Sequence, residues 1–420
     1  MDNNNTGSPT DSAVRQQFLQ PLQAAYVLTA TRKCPSESDW DWLVKGVERV
    51  LNNGRSGRDF LQTFQMFWPQ PMGVGAYFDN LSSPRRLTMT GDCGEQLRRQ
   101  VDRVRTSPLA AFPELDDFDL YAGDGHYLEA ATHDAVPGET AWATGHFFVL
   151  NMKSQSLAPL ALADQTTRKK EHDMRMLKRQ SVARLRQGAG KGRKVLWAWD
   201  RGGIDLPFWL ERKQSGIYFL SLRKTCQCLA VEKIRPVAAL PINQGVVSDL
   251  DVSNRDGLVV REITYLNPCD GQVYVYLTTE RTLEPGLLAL LYKTRWEIEK
   301  VFDETKTKLQ EQKAWATSAT AKAMQAQFMA ITHNLLLLLQ DQHEKLGVEN
   351  AAELQRKQKR LAQQEQALVS QKKTLPPLYK AIQRFTQATF KLIRWLRTHW
   401  HQPTSLAQAL HQLRGFYAKL

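Results

Sequence analysis

The spacing of hydrophobic and polar positions changes several times along the chain. From Ala13 to about Arg105 apolar residues recur at helical intervals, with breaks at "NNGRSG" and "WPQPMGVG". Within it, "FDNLSSPRRL" sets Ser and Pro ahead of a basic helical run, a helix-start pattern. Around residue 118 the period shortens. "FDLYAGDGHYLEAATHD" and "TAWATGHFFVLNM" are short apolar and aromatic runs bounded by Gly, Pro and Asp, which predicts strands. A helical pattern follows in "TTRKKEHDMRMLKRQSVARLRQ", then a buried-strand run "KVLWAW", a turn "DRGGIDLP", a short helix "PFWLERK" and a strand "GIYFLSLRK".

Strands alternating with helices predict an α/β core. Between about Cys228 and Glu280, "LAVEKI", "LVVREITYL" and "GQVYVYLTT" predict a β-rich insertion. Helical spacing returns in "PGLLALLYKTRWEIEKVFDETKTKL" and "AKAMQAQFMAITHNLLLLLQDQ". The expected organisation is a disordered start over 1–12 and a helical N-terminal domain over 13–115, which serves either DNA contact or packing. The first part of the core covers 116–228, the insertion 229–283, the core helices 284–345, and a basic helical C-terminal domain 346–420. There are no internal repeats.

Length and charge narrow the partners. A chain of 420 residues predicts two or three structural units with enough apolar content for a true core. The net charge of +13 points to a polyanion, because Lys and Arg gain affinity for phosphates by counterion release. Nucleic acid ranks ahead of a membrane: no apolar run approaches the roughly 18–20 residues of a membrane span, and "MDNNNTGSPTDS" lacks a signal-peptide pattern. A soluble cytoplasmic protein is expected. Cys34, Cys93, Cys226, Cys228 and Cys269 are scattered and odd in number, so they are read as reduced thiols.

Two acidic residues share one context. Asp124 is read as ending the strand "DLYAGD" and Asp200 as ending "VLWAWD", each before a Gly-containing turn. Functional groups collect at the carboxyl ends of strands in α/β sheets, although Asp is equally an ordinary turn former there. On one straight helix at about 100° per residue, Tyr292, Arg295, Glu299 and Lys306 fall within an arc of roughly 60°. Leu291, Ile298, Phe302 and Leu309 form the adjacent apolar stripe. Three carboxylates suit hard cations such as Mg²⁺ in two-metal phosphoryl chemistry. Arg295 and Lys306 beside them suit phosphate, and Tyr292 offers a hydroxyl or a stacking face. Arg295 and Glu299 are also an i,i+4 pair worth only about a few tenths of a kcal/mol.

The spacing Tyr-x₂-Arg-x₃-Glu-x₆-Lys resembles the Y-R-E-K signature of bacterial transposases of the insertion-sequence-4 family, which carry a DDE triad on a ribonuclease-H-like fold. "GDGH" at Asp124, "WDRG" at Asp200, the β insertion and the trailing helix "ITHNLLLLL" are similar in their order. The likeness spans roughly residues 74 to 340. The chain departs in having Gly203 where relatives often have an aromatic residue after D-R-G. It also has no Trp between Trp209 and Trp296 to meet a flipped base, which leaves Tyr265 as the candidate.

The resemblance implies a ribonuclease-H-like mixed sheet flanked by helices, with Asp124, Asp200 and Glu299 holding two Mg²⁺ ions for which Mn²⁺ can substitute. Tyr292, Arg295, Lys306 and Arg201 would grip DNA. The expected partners are double-stranded DNA, as transposon ends and target, and a second copy of the chain. A non-transposing nuclease and a domesticated DNA-binding inhibitor of transposition are the alternatives.

The basic regions fit this reading. Residues 168–194 hold eleven Lys/Arg against two acids, and the chain from 346 holds thirteen against three. "RKKEHDMRMLKR" also reads as the solvated face of a sheet-packing helix, and Trp395 and Trp400 either meet DNA or pack the tail. "GAGKGRK" fails the phosphate-loop spacing. His126 and His133 flank the strand after Asp124 and read as ordinary strand histidines, with His126 near enough to tune the site.

Overall fold

The computed structural model describes residues 12–30, 38–52, 56–68, 70–105, 108–131, 143–164, 170–267, 271–348, 351–370 and 386–418. Residues 1–11, Cys34, His133, Arg168, Lys169 and Cys269 lie outside the described residues.

The N-terminal helices are α1 (Ala13–Val27), α2 (Asp39–Leu51), α3 (Gly57–Phe64), α4 (Val74–Leu81) and α5 (Pro84–Val104). The side chains of Ser12, Ser38, Ser56 and Ser83 accept from the backbone N–H groups of Arg15, Asp41, Asp59 and Arg86 at the starts of α1, α2, α3 and α5. Such caps satisfy donors that the helix itself cannot. Pro84 opens α5, as the Ser-Pro pattern predicts.

The sheet begins with β1 (Phe118–Glu129), β2 (Ala143–Asn151) and β3 (Leu157–Leu162), an antiparallel meander. Two short helices, α6 (Asp173–Lys178) and α7 (Val182–Arg186), lead to β4 (Lys194–Ala198), and α8 (Leu206–Lys213) leads to β5 (Ile217–Leu222). β4 runs parallel to β1, and β5 parallel to β4. The helical pattern expected over 166–187 is met, among the described residues, by two short helices, with Ser181 capping α7 anew.

The insertion supplies β6 (Ala230–Ile234), β7 (Val246–Ser253), β8 (Val259–Leu266) and β9 (Val273–Thr278). β9 pairs with β5, so these strands extend the core sheet to the order β3-β2-β1-β4-β5-β9-β8-β7-β6. Strand alternation divides the core. Leu120, Ala122, Leu196 and Ala198 face one apolar layer, while Tyr121, Val195, Trp197 and Phe219 face the other.

The chain then forms α9 (Pro285–Thr294), α10 (Glu297–Asp303), a π-helical turn over Glu304–Lys308, α11 (Ala319–Lys345), α12 (Ala351–Val369), α13 (Thr386–His399) and α14 (Leu406–Ala418). α11 ties the halves together. Its Ala326, Met329 and Ala330 join the sheet layer, while Phe328, Ile331 and Leu335 join a core shared with the N-terminal helices. Asn334 donates to the Leu157 carbonyl and accepts from the Leu157 N–H, both at 2.9 Å, fixing α11 on β3. The fold is thus a mixed α/β sheet with helical flanks, the ribonuclease-H-like arrangement.

Trp395 and Trp400 are buried. The Trp395 indole donates to the Ala409 carbonyl and that of Trp400 to Glu48, so both pack the tail rather than face DNA.

Candidate active site at the end of the parallel strands

The register of β1 and β4 brings the two aspartates together. Ala122 pairs with Ala198 at the end of the parallel ladder, and Asp124 and Asp200 each lie two residues further on. Parallel neighbours stand roughly 4.8 Å apart. Asp124 does not end its strand, however: β1 continues to Glu129 beside β2. The opening forms because β4 leaves the sheet there, turning at Arg201–Gly203.

Each aspartate is oriented by its own turn. Asp124 Oδ1 accepts from the Gly125 N–H at 2.8 Å, and Asp200 Oδ1 from the Gly202 N–H at 2.7 Å. The Asp200 carbonyl accepts from the Ser221 hydroxyl on β5 at 2.7 Å. Gly203, the departure noted above, has a packing reason: a Cβ there would stand 2.6 Å from Trp199 Cβ. The Trp199 side chain already fills that space.

The helix carrying the other four candidates is not straight. Trp296 N–H bonds the Lys293 carbonyl and Ile298 N–H the Arg295 carbonyl, three-residue closures that separate α9 from α10. Leu309 N–H bonds the Glu304 carbonyl, a wider closure that makes the π turn. The single arc expected for Tyr292, Arg295, Glu299 and Lys306 therefore does not form. Tyr292 and Arg295 are buried, Glu299 is half-buried at the opening, and Lys306 is exposed. Arg201 is exposed as well.

Arg295 is the hub. It is 3% exposed, its Nη2 donates to Glu299 Oε1 at 2.8 Å, and its Nη1 lies 3.7 Å from Asp124 Oδ2. Its guanidinium carbon stands 5.4 Å from the Tyr292 ring and 5.5 Å from the Trp296 ring. Nε and Nη1 have no hydrogen-bond partner among the described residues.

The electrostatics follow from this crowding. Burial pushes the Asp124 carboxyl up to about 6; Arg295 and the Gly125 N–H pull it down, and the charges of Asp200 and Glu299 add to the rise. Burial likewise raises the Tyr292 phenol, against the pull of Arg295. His126 lies under the Phe302 ring and is driven down to about 3 by burial and then by Lys306, so it stays neutral.

Two residues of the site escaped the sequence reading. Asp173, in the first turn of α6, lies near Asp200, since a Cβ on Gly202 would stand 2.6 Å from Asp173 Oδ2 and 2.9 Å from Asp200 Oδ1; its carboxyl is raised by burial and by the charges of Asp200 and Asp124. Trp296 is 53% exposed beside Arg295, whereas Tyr265, the candidate for base contact, is buried within the sheet layer.

The donor set fits a hard divalent cation, since Asp124, Asp200 and Glu299 offer carboxylate oxygens at one opening. Among the described residues no three metal-binding side chains are drawn in closely enough to grip an ion as they stand. Arg295 supplies the positive charge between Asp124 and Glu299 in this state.

The sequence model of the family described as the transposase DDE domain matches residues 92–335, more than half of the chain. The chain belongs to this family. No curated protein matches it. The matched span runs from α5 to α11 and includes Asp124, Asp200, Glu299 and the whole insertion. Membership of the DDE family makes DNA the substrate class and divalent metal ions the usual cofactors. No helix among the described residues is long and apolar enough to cross a membrane.

Proposed function

We propose that this chain is the transposase of an insertion sequence of the insertion-sequence-4 kind, which cleaves the ends of its element and joins them to target DNA. The observation that carries the reading is the convergence of Asp124, Asp200 and Glu299 on one opening, with the buried Arg295 between them. These three carboxylates would hold two Mg²⁺ ions, or Mn²⁺ in their place. Such ions, when bound, stabilise charge on the attacking and leaving oxygens of an in-line displacement at phosphorus.

The chain's own groups do the rest. Water displaces the strand end at the transposon boundary, and the freed 3′-hydroxyl then displaces a target-strand oxygen. Arg295, once Asp124 and Glu299 are neutralised, turns its fork to a phosphate oxygen. Tyr292 lies beneath that guanidinium and orients it by its ring face. Lys306 and Arg201, both exposed, take neighbouring phosphates. The chain acts as a homodimer across paired ends, in the cytoplasm on the bacterial nucleoid.

Strand cleavage and joining on DNA carrying the element's ends test this reading, with wild type set against Asp124→Ala, Asp200→Ala and Glu299→Ala. All three variants are expected to lose Mg²⁺-dependent cleavage; full activity in all three overturns the assignment. Cutting without joining by the wild type points to a nuclease, and binding without cutting to a domesticated inhibitor.

A further inference from the structure

We propose that Glu304 and His333 are positioning residues for the DNA-binding side of this site, a buried pair that fixes the π turn carrying Lys306 onto α11. The proposal rests on the reading of Lys306 as a phosphate contact and adds what holds it in place.

Glu304 opens the π turn, between Glu299 and Lys306 in the chain. Its side chain has no exposed surface. A carboxylate is buried so completely only where a partner compensates the lost hydration. That partner is His333 of α11, itself 1% exposed, whose Nδ1 stands 3.3 Å from Glu304 Oε1. Lys308, at the far end of the turn, is a second charge acting on this carboxylate.

His333 is held from behind. Its Nε2 lies 3.1 Å from the Gln155 carbonyl, and a carbonyl only accepts, so Nε2 donates. In a neutral imidazole the other nitrogen would then turn a lone pair toward the carboxylate. The pair therefore shares one further proton, as imidazolium beside carboxylate or imidazole beside carboxylic acid, and is neutral as a whole.

The β2–β3 turn supplies an independent observation. Gln155 has a φ of +66°, a left-handed backbone that residues other than Gly, Asn and Asp rarely take. Its N–H bonds the Asn151 carbonyl at 2.7 Å, and its own carbonyl meets His333. Such strain persists where the surrounding structure over-determines it, and it gathers at working sites. The next residue of α11, Asn334, binds both backbone groups of Leu157, so α11 meets the hairpin at two consecutive positions.

The anchor decides what the turn displays. Glu304 and Thr305 are buried before Lys306 and Thr307, and Lys308 and Leu309 are buried after them, so the two middle residues face solvent. A π closure is rare and frequent at functional sites. Released from His333, the segment is free to regain α-helical closure, which rotates the residues beyond it by about 100° and takes Lys306 from its phosphate.

The test is DNA affinity of the full chain over a series of salt concentrations. Lys306→Ala is expected to reduce the salt slope by about 0.9, one phosphate contact. Glu304→Leu should reduce it by the same amount, and adding Lys306→Ala to Glu304→Leu should reduce it no further. Glu304→Gln is expected to keep the wild-type slope, because its amide donates to Nδ1 while Nε2 still donates to Gln155. A wild-type slope in Glu304→Leu with only a lowered melting temperature shows a purely structural pair and overturns the proposal. A slope in Glu304→Gln as low as in Glu304→Leu overturns it too. No change in Lys306→Ala overturns the reading of Lys306 itself, and this proposal with it. Hydrogen exchange on the unaltered chain tests the anchor without a variant. The Leu309 amide, which closes the turn on the Glu304 carbonyl, is expected to exchange as slowly as the amides of α11 around His333; exchange at the rate of an exposed loop overturns the proposal.

Discussion

Arg295 holds Glu299 by a 2.8 Å ion pair while the rest of its guanidinium is turned toward Asp124. One side chain thus occupies the electrostatic position that a cation needs and also carries the donors that a phosphate needs. Removing it should separate the two functions. Arg295→Gln is expected to bind Mn²⁺ about tenfold tighter in the absence of DNA, the size of one charge–charge interaction of roughly 1.4 kcal/mol in a partly buried setting. Cleavage should fall on the order of a hundredfold, as when a transition-state donor is lost. Titration calorimetry and a strand-cleavage assay read the two effects, and tighter metal binding without loss of cleavage would leave the phosphate role unsupported.

The raised Asp124 carboxyl gives metal binding a pH dependence. Its pKa of about 6 means that a proton must leave before a cation is held, so Mn²⁺ affinity should climb with pH to about 6 and flatten above. The stability of the metal-free chain runs the other way. Between the ordinary Asp value of about 3.9 and the folded value, the folded form keeps a proton that the unfolded chain has released. Folding is therefore favoured at the acid end of that window, and this contribution is lost as pH rises through it. Asp124→Asn should flatten both profiles, which Mn²⁺ titrations and melting curves from pH 5 to pH 8 would show; an unchanged slope in the variant would place the titrating group elsewhere.

Gly203 is predicted to be required by packing. In Gly203→Ala the new methyl group meets Trp199 Cβ, the stem of a buried side chain that cannot swing aside. Overpacking of this kind costs about 2 kcal/mol. Because Gly203 also accepts from the Trp209 indole at 2.9 Å, the strain should spread to the turn that orients Asp200. Urea unfolding followed by tryptophan fluorescence measures the loss, and a variant as stable as wild type would mean that the turn adapts freely.

Asp124 and Asp200 were legible in the sequence because their signals are local: an alternating strand, a buried run, and a Gly-containing turn after each. The strands of the insertion were legible for the same reason, yet their place in the sheet was not. Alternation tells which residues face the core, and nothing in "GQVYVYLTT" specifies that β9 joins β5. Asp173 was hidden because an acid in a first helical turn reads equally as a dipole partner; only the crossover between β3 and β4 sets it against Asp200. The break at Arg295 and Trp296 has no Gly or Pro to announce it, and it accompanies the burial of Arg295 toward Asp124.

The basic residues divide into two groups that salt should distinguish. Arg184 donates to the Pro159 carbonyl at 2.7 Å and Arg186 to the Ser215 carbonyl at 2.8 Å, so these guanidinium groups close the α7 region onto its neighbours. Lys306 and Arg201 are exposed, and the proposed reading assigns them to DNA phosphates. Counterion release lowers the logarithm of DNA affinity with the logarithm of salt by about 0.9 for each phosphate neutralised. Lys306→Ala and Arg201→Ala should each reduce that slope by about one contact and leave melting unchanged, because neither side chain is buried. Arg184→Ala and Arg186→Ala should leave the slope alone and lower the melting temperature, since the hydrogen bonds that tie α7 to Pro159 and Ser215 are lost. Affinity measured over a series of salt concentrations separates the groups. A reversed pattern would move the DNA track from the strand-end opening to the α6–α7 face.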